Sequence, residues 1–349
     1  MMIRAGVLLG GVVLSVVASA HHSTNLYFDR DNVVEIAGTL TQVEWRNPHT
    51  LLIVETIGED GRETLWQVES RAATQLIRAG LTPDAFRVGD STRIAGFRGL
   101  RDPASIFLTN ILLTDGRELV VDHFAEPRWS ESLVGSTTGF YQAARIEDLP
   151  ATPVGLFRVW GSDAADRGGD NEGRTLWNAS YPLTDNARTA QVNWDPVSEN
   201  PYIHCRSGMP AIMDQPYPLE FVSEGGDILL FLEEQDTVRR IHMANNANAD
   251  NEPSGPFGYS KGRWEGDTLV VGTINIDWPW FDQAGIPQTD ALKLVERFTP
   301  SVDGSVLRYQ VTATDSAIFT EPVILERRWI WVEGEERIPY NCISDSRGP

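Results

Sequence analysis

Residues 258–277, GYSKGRWEGDTLVVGTINID, read as two strands on either side of one tight turn. Gly258 to Glu265 and Thr268 to Asp277 carry aromatic and β-branched residues, and Glu265-Gly266-Asp267 supplies the reversal between them. Such a turn needs positive φ, which glycine adopts without strain, so the pattern is that of a β-hairpin. The same pattern extends in both directions. Leu219 to Ser223, Ile228 to Glu234 and Val238 to Met243 precede the hairpin. Leu292 to Thr299, Val306 to Thr314 and Val323 to Val332 follow it. Gly225-Gly226, Asp303-Gly304 and Gly334 mark further turns. Many strands joined by short turns, with no crossover helices between them, predict an up-and-down antiparallel barrel.

This barrel is expected over residues 152–349 and is lipocalin-like in form. Gly155 to Trp160 would be its first strand, and Thr184 to Trp194 a helix capped by Thr184 or Asp185. A smaller β domain is expected over residues 21–122. Its strands are Val33 to Trp45, Thr50 to Thr56, Thr64 to Glu69, Arg93 to Phe97 and Ile106 to Leu113. A helix at Arg71 to Arg78, stopped by Gly80, follows the third strand. That element order is the order of a small OB-like Greek-key barrel. Residues 123–151 lack periodicity and read as a linker. The fold class is therefore mainly all-β.

Residues 1–20 read as a secretory signal peptide. Arg4 is its positive start, Val7 to Val17 its apolar run, and Ala18-Ser19-Ala20 its cleavage site. The run is shorter than the roughly 20 residues of a spanning helix. The mature chain would begin at His21 in the periplasm or outside the cell, with no membrane span.

The chain of 349 residues carries 49 acidic against 29 basic residues, a net charge of −20. Such a surface repels phosphate backbones, which argues against nucleic acid and anionic membranes as partners. Lys261 and Lys293 are the only lysines; every other basic residue is arginine. Cys205 and Cys342 are the only cysteines, and in an oxidising compartment such a pair reads as a disulfide. Closing so long a loop contributes about 4–5 kcal/mol by the chain-entropy argument. The alternative is a reactive Cys205 beside His204. Adjacent residues on an extended segment point opposite ways, which places that pair poorly.

Three groups of residues can carry chemistry. Cleavage after Ala20 would free an amine on His21 next to its own imidazole, and nitrogen ligands of that kind suit copper(II). His22 and His49 are the further ligand candidates, with His123 behind them. A frayed, solvated terminus is the plainer reading. Next, Val238, Arg240 and His242 share one face of a strand, while Glu326 and Arg328 share a face of the last one. If those faces line the lumen, Arg240, His242 and Glu326 are candidates for acid–base catalysis; the alternative is that they face solvent. Finally, Trp278-Pro279-Trp280-Phe281 is either a lid over the barrel or packing at its end. Phosphate loops, nucleophile elbows, zinc helices and dithiol motifs are all missing.

The start His21-His22-Ser23, Gly38-Thr39-Leu40 and Trp45-Arg46-Asn47-Pro48-His49 resemble an uncharacterised family of exported proteobacterial proteins. Cys205-Arg206-Ser207-Gly208-Met209-Pro210, GRWEGDTLVV at 262–271 and Tyr340-Asn341-Cys342 resemble a second, lipocalin-like exported family. The resemblances imply two joined domains and a Cys205–Cys342 disulfide, and no activity. The function expected from the sequence is binding of a small, partly apolar molecule in the C-terminal barrel, with an accessory copper site. The alternatives are an enzyme acting on such a molecule and a periplasmic copper-handling protein.

Overall fold

The computed structural model describes residues 27–121, 125–134, 155–162, 180–196, 198–244 and 254–344. The expected signal peptide, His21, His22, His123 and most of the expected linker lie outside those residues.

The first unit contains β1 (Phe28–Glu44), β2 (Leu51–Ile57), β3 (Glu63–Glu69), α1 (Ala73–Arg78), β4 (Ser91–Gly99) and β5 (Ser105–Leu112). β1 is long and bulged, which lets it bend and pair with both β2 and β4. β3 and β5 pair in parallel, so the five strands close in the order β1-β2-β3-β5-β4. With a helix between β3 and β4, this is the OB-like barrel expected. α1 ends as its sequence requires. Gly80 takes φ +82°, Gly80 N–H donates to the Ile77 carbonyl and Leu81 N–H to the Leu76 carbonyl. Leu76, Leu52, Ile94 and Ile106 are fully buried at the centre.

Part of the expected linker belongs to this sheet. β6 (Glu118–Val120) extends it past β5, and β7 (Leu133–Val134) pairs in parallel with β6. The cause is Glu118, which is fully buried. Its carboxylate accepts the backbone N–H groups of Arg128, Trp129 and Ser130 and the Asn110 amide. A buried charge needs such partners, and here they come from a segment with no periodicity of its own.

The second unit holds β8 (Val159–Ser162), α2 (Asp185–Asn193), β9 (Leu219–Glu224), β10 (Asp227–Leu232), β11 (Thr237–His242), β12 (Tyr259–Glu265), β13 (Thr268–Ile274), β14 (Lys293–Pro300), β15 (Val306–Thr314) and β16 (Val323–Ile330). Thr184 caps α2, its hydroxyl accepting Ala187 N–H at 3.3 Å. β8 to β16 form a closed nine-stranded barrel. One junction departs from the antiparallel rule: β11 and β12 pair in parallel. Residues 243–258 separate them, long enough to return the chain to the same end, as a parallel pair requires.

Packed side chains fill the lumen. Trp160, Trp329, Phe298 and Tyr309 are at most 1% exposed. Met209, Ala211, Ile212 and Met213 belong to the same apolar cluster, so the segment before β9 plugs the barrel. Methionine suits such irregular gaps.

The two units meet across buried polar contacts. Arg78 of α1 forks onto Glu233, at 2.6 and 2.5 Å, and reaches Glu335 at 2.7 Å. Asn47 donates to the Tyr340 carbonyl and accepts Thr74 N–H at 3.2 Å. The tail that carries Tyr340 is held by a Cys205–Cys342 disulfide with a sequence separation of 137.

Candidate functional site

Strand parity decides what faces the lumen. Along β11, Thr237, Arg239 and Ile241 are buried, while Val238 and Arg240 are exposed. Arg239, not Arg240, is the interior arginine. Its guanidinium meets Glu296 of β14 at 2.8 and 3.1 Å. Glu296 also accepts the Tyr309 hydroxyl at 3.0 Å and the Thr273 hydroxyl at 3.1 Å. Ser260 and Thr273 also accept from Nη2 of Arg239. Burial pushes the Tyr309 phenol well above its ordinary pKa, and the Glu296 charge adds to the shift. The network is nearly closed on itself, as a buried pair must be.

The residues expected to line the lumen stand elsewhere. Arg240 lies on the outer face and pairs with Glu224 at 2.9 Å. His242 stacks on Tyr259 with ring centroids 4.9 Å apart, and its Nδ1 is 3.3 Å from Asp227. Glu326 is exposed on β16 and accepts from Gln310 at 2.8 Å. β11 and β16 occupy different arcs of the barrel, so the fold does not bring the three together. The sequence held one clue: Arg239 shares its face with Ile241 and Met243, and apolar companions mark a buried face.

His49 sits in the loop between β1 and β2, its Nδ1 2.9 Å from the Ser70 carbonyl and 3.2 Å from Glu69. Its proposed companions His21 and His22 lie outside the described residues. His204 is exposed, and Cys205 is in the disulfide.

A cleft of about 520 Å³ opens at one end of the barrel beside that disulfide. Its lining is mostly polar, with charge from Arg206, Asp236 and Asp277, and Val238, Phe257 and Trp278 are its large apolar side chains. Three residues at its edge, Cys205, Gln235 and Asp236, take positive φ of 54°, 56° and 50°. For non-glycine residues that conformation is strained, and such strain concentrates at functional sites. Asp236 is held in place by accepting the N–H groups of Tyr340 and Asn341.

The aromatic run after β13 packs the barrel end. Trp278 and Phe281 are buried, and Trp280 donates to the Glu199 carbonyl at 3.2 Å. Asp282 follows, 2% exposed, with Oδ1 accepting from Ala284 and Ile286. Burial, aided by nearby Asp214, pushes its carboxyl up to about 7. A folded-state pKa raised above the unfolded one means that the native state holds the proton longer. Stability then falls as pH rises from about 4 to about 7. Asp282→Asn is expected to raise the melting temperature at pH 8, by an amount equivalent to about 2 kcal/mol, and the gain should vanish toward pH 4. A gain equal at both pH values would show that the carboxyl is not the cause.

The fold and cleft define a class: a two-unit β protein in which an OB-like barrel is clasped to a plugged, closed nine-stranded barrel with a cleft at its mouth. Residues 11–103 match a family described as a family of unknown function (DUF6152). The match runs through β4 of the OB-like unit and stops short of the second barrel. No curated protein matches the chain.

Proposed function

We propose that this is an exported binding protein that holds a small, partly apolar molecule at the mouth of its C-terminal barrel. The observation that carries the reading is the cleft beside Cys205–Cys342. Its volume of about 520 Å³ falls in the range of small-molecule sites. Val238, Phe257 and Trp278 offer apolar contact within a largely polar lining, whose charged groups would orient a ligand that carries polar groups of its own. The packed lumen directs the ligand to the mouth. The disulfide supports export, because disulfides persist in oxidising compartments, and the leader read at residues 1–20 agrees with it.

A neutral solvatochromic dye such as Nile red tests the reading. It is expected to bind one per chain with a blue-shifted emission. Val238→Glu, which places a charge on the exposed wall, should weaken binding at least tenfold with the fold intact. Equal binding by the variant would move the site away from this cleft.

A further inference from the structure

The charge of this protein is unevenly spread. β12 to β16 form one antiparallel arc, and the register of their pairs aligns the outward positions in rows. Those positions hold Lys261, Arg263, Lys293, Arg297, Arg308 and Arg328, against only Glu265 and Glu326. Both lysines of the chain are among them, in a protein of net charge −20. Arg308 lies directly opposite Arg328 across the β15–β16 pair, with Thr299 on its other flank. Like charges directly opposite in a sheet repel. The chain has acidic residues in excess, yet none flanks Arg308 in this row.

A groove of about 510 Å³ runs over that row, lined by Arg297, Thr299, Arg308, Gln310, Glu326 and Arg328. Arg297 is held by Glu265 at 2.9 Å and Glu326 by Gln310 at 2.8 Å. Arg308 makes no ion pair among the described residues.

We propose that this groove binds a phosphate group, with Arg308 as its principal cation and Arg328 beside it. A guanidinium presents two parallel donors that match phosphate oxygens, and Arg308 has both of its own to offer. Thr299 adds a hydroxyl donor at the same level of the sheet. The overall negative charge does not forbid this, because fields from the far side of the molecule are screened beyond about 8 Å at physiological salt. The phosphate can belong to a soluble molecule or to a lipid headgroup.

Calorimetric titration of the disulfide-intact protein with inorganic phosphate forms one arm of the test. Co-sedimentation with phosphatidylcholine vesicles, with and without phosphatidylglycerol, forms the other. Saturable phosphate binding without vesicle retention assigns a soluble phosphate; retention that depends on phosphatidylglycerol assigns the headgroup. In whichever arm responds, R308A should weaken binding at least tenfold and E326Q should strengthen it several-fold. R62A, a substitution of an exposed arginine in the β2–β3 turn, should change neither. Both arms blank for the unmodified protein, or R308A binding as the unmodified protein does, would overturn the proposal. Arg308 is exposed, so its loss should leave the fold intact, which circular dichroism checks.

Discussion

Glu296→Gln is expected to destabilise the C-terminal barrel by about 3–5 kcal/mol, the usual cost of removing one member of a buried ion pair. Glutamine keeps nearly the same shape and still accepts a hydrogen bond from the Tyr309 hydroxyl or from Thr273. What it removes is the charge opposite Arg239, whose side chain is 1% exposed. Arginine does not lose its proton at ordinary pH, so the orphaned cation stays charged in an apolar barrel. Ser260, Thr273 and Met213 around it supply dipoles but no counter-charge. Replacing both partners, Arg239→Met with Glu296→Leu, should cost far less, because no unpaired charge remains. Denaturant unfolding followed by tryptophan fluorescence reports on this unit, since Trp160 and Trp329 are fully buried within it. A small loss for Glu296→Gln and a large one for the double variant would reverse the interpretation and make the pair a net stabiliser.

Removing the disulfide, by Cys205→Ser with Cys342→Ser, should cost about 5 kcal/mol for a loop of 137 residues. The effect should reach beyond the barrel. The tail beside Cys342 carries the Tyr340 carbonyl that receives Asn47, and Ile343 N–H donates to the Asn47 carbonyl at 3.1 Å. Asn47 belongs to the OB-like unit, so freeing the tail also loosens the clasp between the units. Asp236, which faces the cleft, is anchored by the same tail. The serine variant should therefore melt lower, be cut by protease near residue 340 and lose Nile red binding. The Arg78–Glu233 pair does not involve the tail, so the units should remain associated through it. A melting temperature within about 2 °C of the parent would show that the disulfide does not constrain this tail.

The residues themselves announced most of the architecture. Gly80 closed α1 where its sequence said, Thr184 capped α2, and the 258–277 hairpin formed as β12 and β13. The two cysteines paired. These features depend on neighbours in the chain: a turn needs its glycine, a cap its hydroxyl, and a strand its alternation. The strands β6 and β7 escaped notice because a buried carboxylate, not periodicity, holds residues 125–134 against the sheet.

The candidate site was less legible. Alternation along β11 separates Arg239 from Arg240 but does not say which one is inside. Nor does it say that the countercharge comes from Glu296, on a strand far along the chain. The cleft is assembled from residues 205–207, 235–238, 254–257 and 277–278, none of which forms a motif alone. The basic face emerged only when register set β12 to β16 side by side. From its sequence alone this protein had its strands, turns, caps and two-part order determined, because those rest on local sterics and hydrogen bonds. Closure of the barrels decided which face of each strand lies in the dark and which distant charges meet, because burial and pairing are properties of the whole surface.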